Sequence, residues 1–245
     1  MKQTEIIMGM PVTLEIVGYE DSDAAIRDTF DYFKSVDKRY STYKPDSEIS
    51  RINNGLPREE WSDEMRTVLD LCERTKHETD GYFDIRHNDK LDPSGLVKGW
   101  AIEQAAEHLR KRGVKNFYLE AGGDIQTNGK NADGEAWKVG IRNPFDIHEI
   151  IKVITTSGEG IATSGTYIRG QHIYDPHVPN LPIESIKSLT VIGPNIYEAD
   201  RFATAAFAMS EDGIGFIDAL DGFEGYMIDD NKTATFTRGF ERYVA

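Results

Sequence analysis

The chain has 245 residues, 28 basic against 42 acidic, and a formal net charge of −14. That length suits one large domain or two small ones, and 39% hydrophobic residues argue for a folded globule over a disordered chain. The acidic balance repels phosphate backbones and anionic lipid, which excludes nucleic acid and membrane surfaces as default partners. An anionic substrate would need a local device to hold it, such as a metal ion, a backbone nest or a helix N-terminus. The single cysteine, Cys72, excludes an internal disulfide and a Cys-based zinc site. It sits at helical spacing in Val68-Leu69-Asp70-Leu71-Cys72 and reads as a small core residue. The first eight residues lack the apolar core of a secretion signal, and no stretch approaches the ~20 apolar residues of a membrane span, so the expected location is cytoplasmic.

No repeat, low-complexity tract or linker divides the sequence, so residues 1–245 read as one domain. Val12 to Val17 alternates like a half-buried strand, and Asp21 to Tyr40 carries Ala25, Phe30, Phe33 and Val36 near helical spacing. A loop over Ser41 to Asp46 leads to a short helix capped by Asp46 or Ser47. A second long helix covers Asp63 to Glu78 and ends at Gly81; a third covers Ser94 to Arg112 and closes at Gly113. Strands follow at Phe117–Leu119, Ile125–Thr127, Trp137–Ile141 and Ile150–Thr155, joined by Gly- or Asn-rich turns. A strand at Ser188–Ile192 precedes a helix over Tyr197–Met209 and a shorter one over Gly213–Leu220. Tyr226–Ile228 and Ala234–Phe236 close as a hairpin. Helices first, then meandering strands, then helix and hairpin predict an α+β fold, with helices packed on a mainly antiparallel sheet.

Four segments could carry chemistry. In Glu198-Ala199-Asp200-Arg201-Phe202-Ala203-Thr204, Asp200 and Thr204 share one helix face and could present two oxygen ligands to Mg²⁺. They could equally be a first-turn acid and a packed threonine. Asp92-Pro93-Ser94-Gly95-Leu96-Val97-Lys98-Gly99 opens a helix with two glycines and a lysine one turn in, suited to a pyrophosphate or to an ordinary cap; it is not a P-loop. Glu120-Ala121-Gly122-Gly123-Asp124 is a close-approach loop or a common turn. The stretch from Thr163 to His177 holds His172, Asp175 and His177, which lack the spacing of a metallohydrolase; a general-base role suits His172 better.

Taken in order, these segments resemble the FAD:protein FMN transferase family, often called the ApbE family. Met8-Gly9-Met10 resembles its opening Met-Gly-Thr, and Ser41-Thr42-Tyr43-Lys44-Pro45-Asp46-Ser47-Glu48-Ile49 is similar to its Ser-Thr-Tyr-x-Pro-x-Ser-Glu-(Leu/Ile) stretch. Gly81-Tyr82-Phe83-Asp84 resembles its (Gly/Ala)-x-Phe-Asp turn, Asp92 to Gly99 its Asp-Leu-Gly-(Gly/Ala)-Ile-Ala-Lys-Gly, and Ala121 to Asp124 its Gly-Gly-Asp. Ala162 to Tyr167 with His172-Ile173-Tyr174-Asp175-Pro176 resembles Ser-Gly-x-Tyr and His-Ile-Ile-Asp-Pro, and Asp200 to Ala205 matches Asp-x-(Leu/Phe)-Ala-Thr-Ala.

The resemblance implies a cleft that binds FAD and a Mg²⁺-dependent enzyme. It would transfer the FMN half to a Thr or Ser hydroxyl of an acceptor protein and release AMP. It places Mg²⁺ on Asp200, Thr204 and the Gly95 carbonyl, and FAD on Met8, Tyr43, Tyr82, Phe83, Asp84, Asp92, Lys98 and Ile173. His172 and Lys98 would be the catalytic pair. The departures are a short connection from Asp84 to Asp92, Pro93-Ser94 in place of Leu-Gly, one histidine where two are usual, and Asp175-Pro176-His177-Val178-Pro179 without the Asp-Pro-x-Thr-Gly ending. Two other readings use the same site: an FAD pyrophosphatase giving FMN and AMP, and a non-catalytic flavin-binding protein. The family's acceptor pattern, Asp-x-x-(Ser/Thr)-Gly-Ala-(Ser/Thr), has no full match here, so self-flavinylation is not expected.

Overall fold

The structure, a computed structural model, describes residues 1–87, 89–166, 173–178 and 181–245. The chain opens with strands β1 (Lys2–Ile7) and β2 (Met10–Val17), then helices α1 (Ser22–Tyr40), α2 (Glu48–Asn53) and α3 (Asp63–Glu78). A two-residue ladder, β3 (Arg86–His87) and β4 (Lys90–Leu91), precedes helix α4 (Ser94–Lys111). Strands β5 (Asn116–Ala121), β6 (Asp124–Asn128), β7 (Trp137–Asn143), β8 (Asp146–Thr156), β9 (Gly160–Gly165) and β10 (Ile186–Gly193) come next. Helices α5 (Ile196–Ala208) and α6 (Gly213–Asp218) lead to the closing strands β11 (Glu224–Asp229) and β12 (Ala234–Phe236).

Among the described residues, eight strands form one antiparallel sheet in the order β1-β2-β5-β6-β9-β10-β11-β12. The β2–β5 register sets Val12 opposite Ala121, Leu14 opposite Leu119 and Ile16 opposite Phe117, so one row of apolar side chains faces the helices. These two strands alternate because only one face is covered there. Strand β10 reads almost continuously buried, because a second layer lies on the opposite face. That layer is the β7–β8 hairpin, whose Val139, Ile141 and Ile154 pack with Ile161, Ile192 and Tyr226 of the main sheet. On the helical face, Phe30 and Phe33 of α1, Ala101 and Ile102 of α4 and Phe207 of α5 join the main core. The expected α+β arrangement is therefore present, and Cys72 is buried in it, with burial pushing its thiol pKa up.

Local chemistry accounts for most helix ends. Ser47 caps α2 by accepting from the Ser50 N–H at 3.1 Å, which decides between the two expected caps. Ser62 does the same for α3 at Met65. The end of α3 differs from expectation. Asp80, not glycine, takes the left-handed position after the cap, and the Gly81 N–H reaches back to the Lys76 carbonyl at 2.8 Å. Asp21 precedes α1 without capping it, because its carboxylate is turned to Arg112 at 2.9 Å.

Besides the two-residue β3 and β4, strands β1 and β9 lie beyond what the sequence predicts. Strand β1 is an edge strand, mostly exposed, and β9 is built from the small residues of Gly-Ile-Ala-Thr-Ser-Gly. Neither has the apolar alternation that marks a strand, and both owe their conformation to the neighbour they pair with. No helix among the described residues is long and apolar enough to cross a membrane.

Candidate active site

Helices α4 and α5 cross at the point where their glycine and aspartate meet. The Gly99 N–H donates to Asp200 Oδ2 at 2.8 Å. A Cβ on Gly99 would lie 2.5 Å from the Asp200 Cβ and 2.9 Å from the Ile196 carbonyl oxygen, so only glycine allows this approach. Lys98, one residue earlier, sends its ammonium to Asp124 Oδ2 at 2.5 Å and lies 3.5 Å from Asp200 Oδ1. Asp124 opens β6 directly after the double glycine, and its other oxygen accepts the Thr163 N–H of β9 at 3.1 Å. Four elements thus converge on one lysine and two carboxylates.

Both carboxylates are buried, Asp124 at 1% and Asp200 at 3% exposure. Burial pushes the Asp200 carboxyl up to about 7; the Lys98 ammonium opposes this, and the Asp124 carboxylate adds to it. Among the described residues, the Lys98 ammonium is set between the two acids.

Thr204 lies one turn beyond Asp200 on the same face of α5, and its hydroxyl donates to the Gly95 carbonyl at 3.4 Å. The expected metal residues therefore sit at the contact of the first turn of α4 with α5. Their donors are a carboxylate, a hydroxyl and a backbone carbonyl, all hard oxygens of the kind Mg²⁺ prefers, so the donor set fits the ion. No group of three His, Cys, Asp or Glu is placed for a metal among the described residues; an ion here would draw on hydroxyl and backbone oxygen too.

The expected flavin residues fall in several places. Phe83 is buried, and its ring edge would lie 3.4 Å from a Cβ on Gly95, so the turn after α3 abuts the Gly95–Thr204 contact. Tyr82 and Ile173 are half-buried against the main core. The Asp84 carboxylate is engaged by Lys76 at 2.6 Å and by the Arg86 N–H at 2.9 Å. Asp92 accepts the Ser94 N–H at 3.0 Å and so steadies the first turn of α4. Met8 occupies the β1–β2 turn with φ of 55° and is half-buried against the core. Tyr43 stands almost wholly in solvent at 97% exposure. His172 lies outside the described residues, as does Tyr167.

Two residues gain roles that spacing did not assign. Asp124 is the nearer partner of Lys98; its signal was the Gly122-Gly123-Asp124 turn, which by itself is indistinguishable from an ordinary loop. Arg201 is 3% exposed and points away from Asp200. It pairs with Glu198 at 2.5 Å and with Glu78 of α3, and its guanidinium lies 3.9 Å from the Phe202 ring centroid. It anchors α5 to α3, and nothing in the spacing distinguishes it from a solvated helix arginine.

Comparison with known proteins bears directly on this arrangement. The family model described as ApbE matches residues 8–89 and 86–227. The FAD:protein FMN transferase of Vibrio cholerae is 32% identical over 131 residues, covering 50% of this chain and 39% of that protein. The protein of the same name from Escherichia coli K12 is 25% identical over 256 residues, covering 78% of this chain and 73% of its own length. The chain thus matches about two-fifths of the length of the Vibrio cholerae relative. Among solved structures, the flavin transferase ApbE from Vibrio cholerae superposes with a TM-score of 0.87 at 23% identity, covering 99% of this chain and 98% of that one. The ApbE protein of Thermotoga maritima superposes with a TM-score of 0.87 at 20% identity, covering 100% and 99%. These superpositions show the shared fold.

Proposed function

The chain belongs to the ApbE family, and from that premise we propose that it transfers FMN from FAD to a Thr or Ser hydroxyl of an acceptor protein. The observation that carries this reading is the buried Lys98–Asp124–Asp200 cluster beside the Gly95–Thr204 contact. It sets a lysine and a row of hard oxygens at the N-terminal turn of an 18-residue helix, where backbone dipoles favour an anion.

In the proposed reaction the acceptor hydroxyl oxygen bonds to the FMN phosphorus. The bond from that phosphorus to the bridging oxygen breaks, and AMP departs with the bridging oxygen and its electron pair. The hydroxyl proton passes to a base, for which His172, outside the described residues, is the assigned residue. Lys98 would face the pyrophosphate charge, with Asp124 holding its ammonium in place. Phe83 and the half-buried Tyr82 and Ile173 would form the apolar side of the flavin site. Asp200, Thr204 and the Gly95 carbonyl would hold Mg²⁺, which neutralises phosphate charge when bound. The reaction is placed in the cytoplasm.

The test is nucleotide chromatography after incubation with FAD and Mg²⁺, with and without a protein bearing the acceptor pattern. AMP that appears only with the acceptor, together with covalent flavin on it, is the expected result. AMP with free FMN in the absence of acceptor would replace the transferase with a pyrophosphatase, and intact FAD would leave a flavin-binding protein. Chelation by EDTA should stop AMP release, and added Mg²⁺ should restore it.

A further inference from the structure

His177 replaces nothing that the family pattern singles out, yet its ring is engaged on three sides. Its Nδ1 lies 2.9 Å from Asp175 Oδ1, and its Nε2 lies 3.1 Å from the Asp80 carbonyl oxygen. Its ring meets Tyr82 edge-on, with centroids 4.4 Å apart. Both polar partners accept only, and a neutral ring carries a single N–H, so the bond to the Asp80 carbonyl is made by the Nε2–H form.

The two contacts differ in what they join. Asp175 lies two residues away and also accepts the His177 backbone N–H at 2.9 Å, so that bond orients the ring within its own segment. The Asp80 carbonyl belongs to the turn after α3, 97 residues distant in sequence. A second pin runs parallel to it: the Tyr174 hydroxyl donates to the Asp84 carbonyl at 3.1 Å and to that of Arg86 at 3.3 Å. Segment 173–178 is thus fastened to turn 80–86 at both ends. The turn in between carries Tyr82 and Phe83, and Phe83 abuts Gly95 beside Thr204. The His177 ring lies close over Gly81, where a Cβ would be 3.4 Å from Nε2.

We infer that His177 is a positioning residue for the flavin nucleotide, fastening segment 173–178 to the Asp80–Asp84 turn so that Ile173, Tyr82 and Phe83 keep one arrangement. The inference rests on the proposed transferase reading for the identity of the nucleotide, but the latch itself is a property of the folded chain. Because Tyr174 supplies the second pin, losing His177 loosens the wall without unfolding the protein. The effect falls on ground-state binding of FAD, not on the reacting phosphorus.

The test compares His177→Ala, His177→Gln and His177→Asn. Removing one cross-segment hydrogen bond and a ring contact should raise KM for FAD about tenfold while kcat stays within about twofold. Gln extends its amide far enough to reach the Asp80 carbonyl and should restore most of the affinity; Asn reaches only Asp175 and should not. Amide hydrogen exchange without FAD should quicken at residues 81–84 in His177→Ala and His177→Asn, with α4 unchanged. Unchanged exchange in the alanine variant, or equal rescue by Asn and Gln, would overturn the latch. A wild-type chain that neither binds nor consumes FAD would overturn the nucleotide role together with the functional reading, while the exchange measurement still decides the latch.

Discussion

Gly99 and Asp200 touch across two helices, with a hydrogen bond of 2.8 Å from the glycine amide to the carboxylate and no room for a side chain between them. This contact sets how closely α5 approaches α4. It therefore sets where Thr204, one turn further on, meets the Gly95 carbonyl.

Substituting Gly99→Ala should disturb stability and site together. The new methyl would overlap the Asp200 Cβ, and overpacking of this kind costs about 1–3 kcal/mol. Urea unfolding should show that loss, and titration with Mg²⁺ should show a weaker apparent affinity. A variant with wild-type stability and wild-type Mg²⁺ response would mean that α5 can shift without consequence.

Asp124→Asn keeps an oxygen for the Thr163 N–H but removes the nearer charge facing Lys98. The fold should persist, with a melting temperature near that of the wild type. We expect kcat/KM for FAD to fall by about 10- to 100-fold, as for loss of one buried charged partner in a preorganised site. Activity unchanged within error would remove Asp124 from the site.

Arg201→Met keeps much of the apolar stem and removes the guanidinium. Glu198 and Glu78 then lose the cation that joins them; both keep partial solvent access, so the cost should fall below the roughly 3–5 kcal/mol of a fully buried pair. Equilibrium unfolding measures this directly. The double variant with Glu198→Gln should recover part of the loss, because Glu78 keeps Arg74 at 2.7 Å whereas the Glu198 carboxylate has lost Arg201.

Glu159, in the turn from β8 to β9, offers a pH test away from the site. Burial raises its carboxyl pKa, but the Ser157 N–H at 3.0 Å, the Thr156 hydroxyl at 2.9 Å and the Gly158 N–H at 3.2 Å donate to Oε2, and the balance is a pKa below the ordinary value. A carboxyl lowered in the folded state stabilises above its unfolded pKa, and that stability disappears as pH falls through the folded one. Glu159→Gln should therefore be less stable than wild type at pH 7, with the difference shrinking as the solution is acidified. A difference that grows toward low pH would contradict the sign.

Several features of the molecule are legible without coordinates because they depend on neighbours close in sequence. The apolar faces of α1, α3 and α4, the Ser47 cap and the alternation in β2 follow from local periodicity and from side chains that bond their own backbone. The Asp200–Thr204 pairing is of this kind too, since four residues make one helical turn. The ordered motifs from Met8 to Thr204 carried the family, and the order of helices and strands carried the fold class.

What only the tertiary structure decided are relationships between residues far apart in the chain. Strand β9 exists because β6 and β10 pair with it, although its own residues are small. Asp124 meets Lys98 because β6 begins beneath α4. Asp84 is engaged by Lys76, and His177 reaches Asp80 across 97 positions. The physical reason is common to all four. Helix caps and amphipathic stripes are set by steric and hydrogen-bonding preferences within a few residues, whereas a charged or polar side chain bonds to whichever partner the packed sheet and helices bring within about 3 Å.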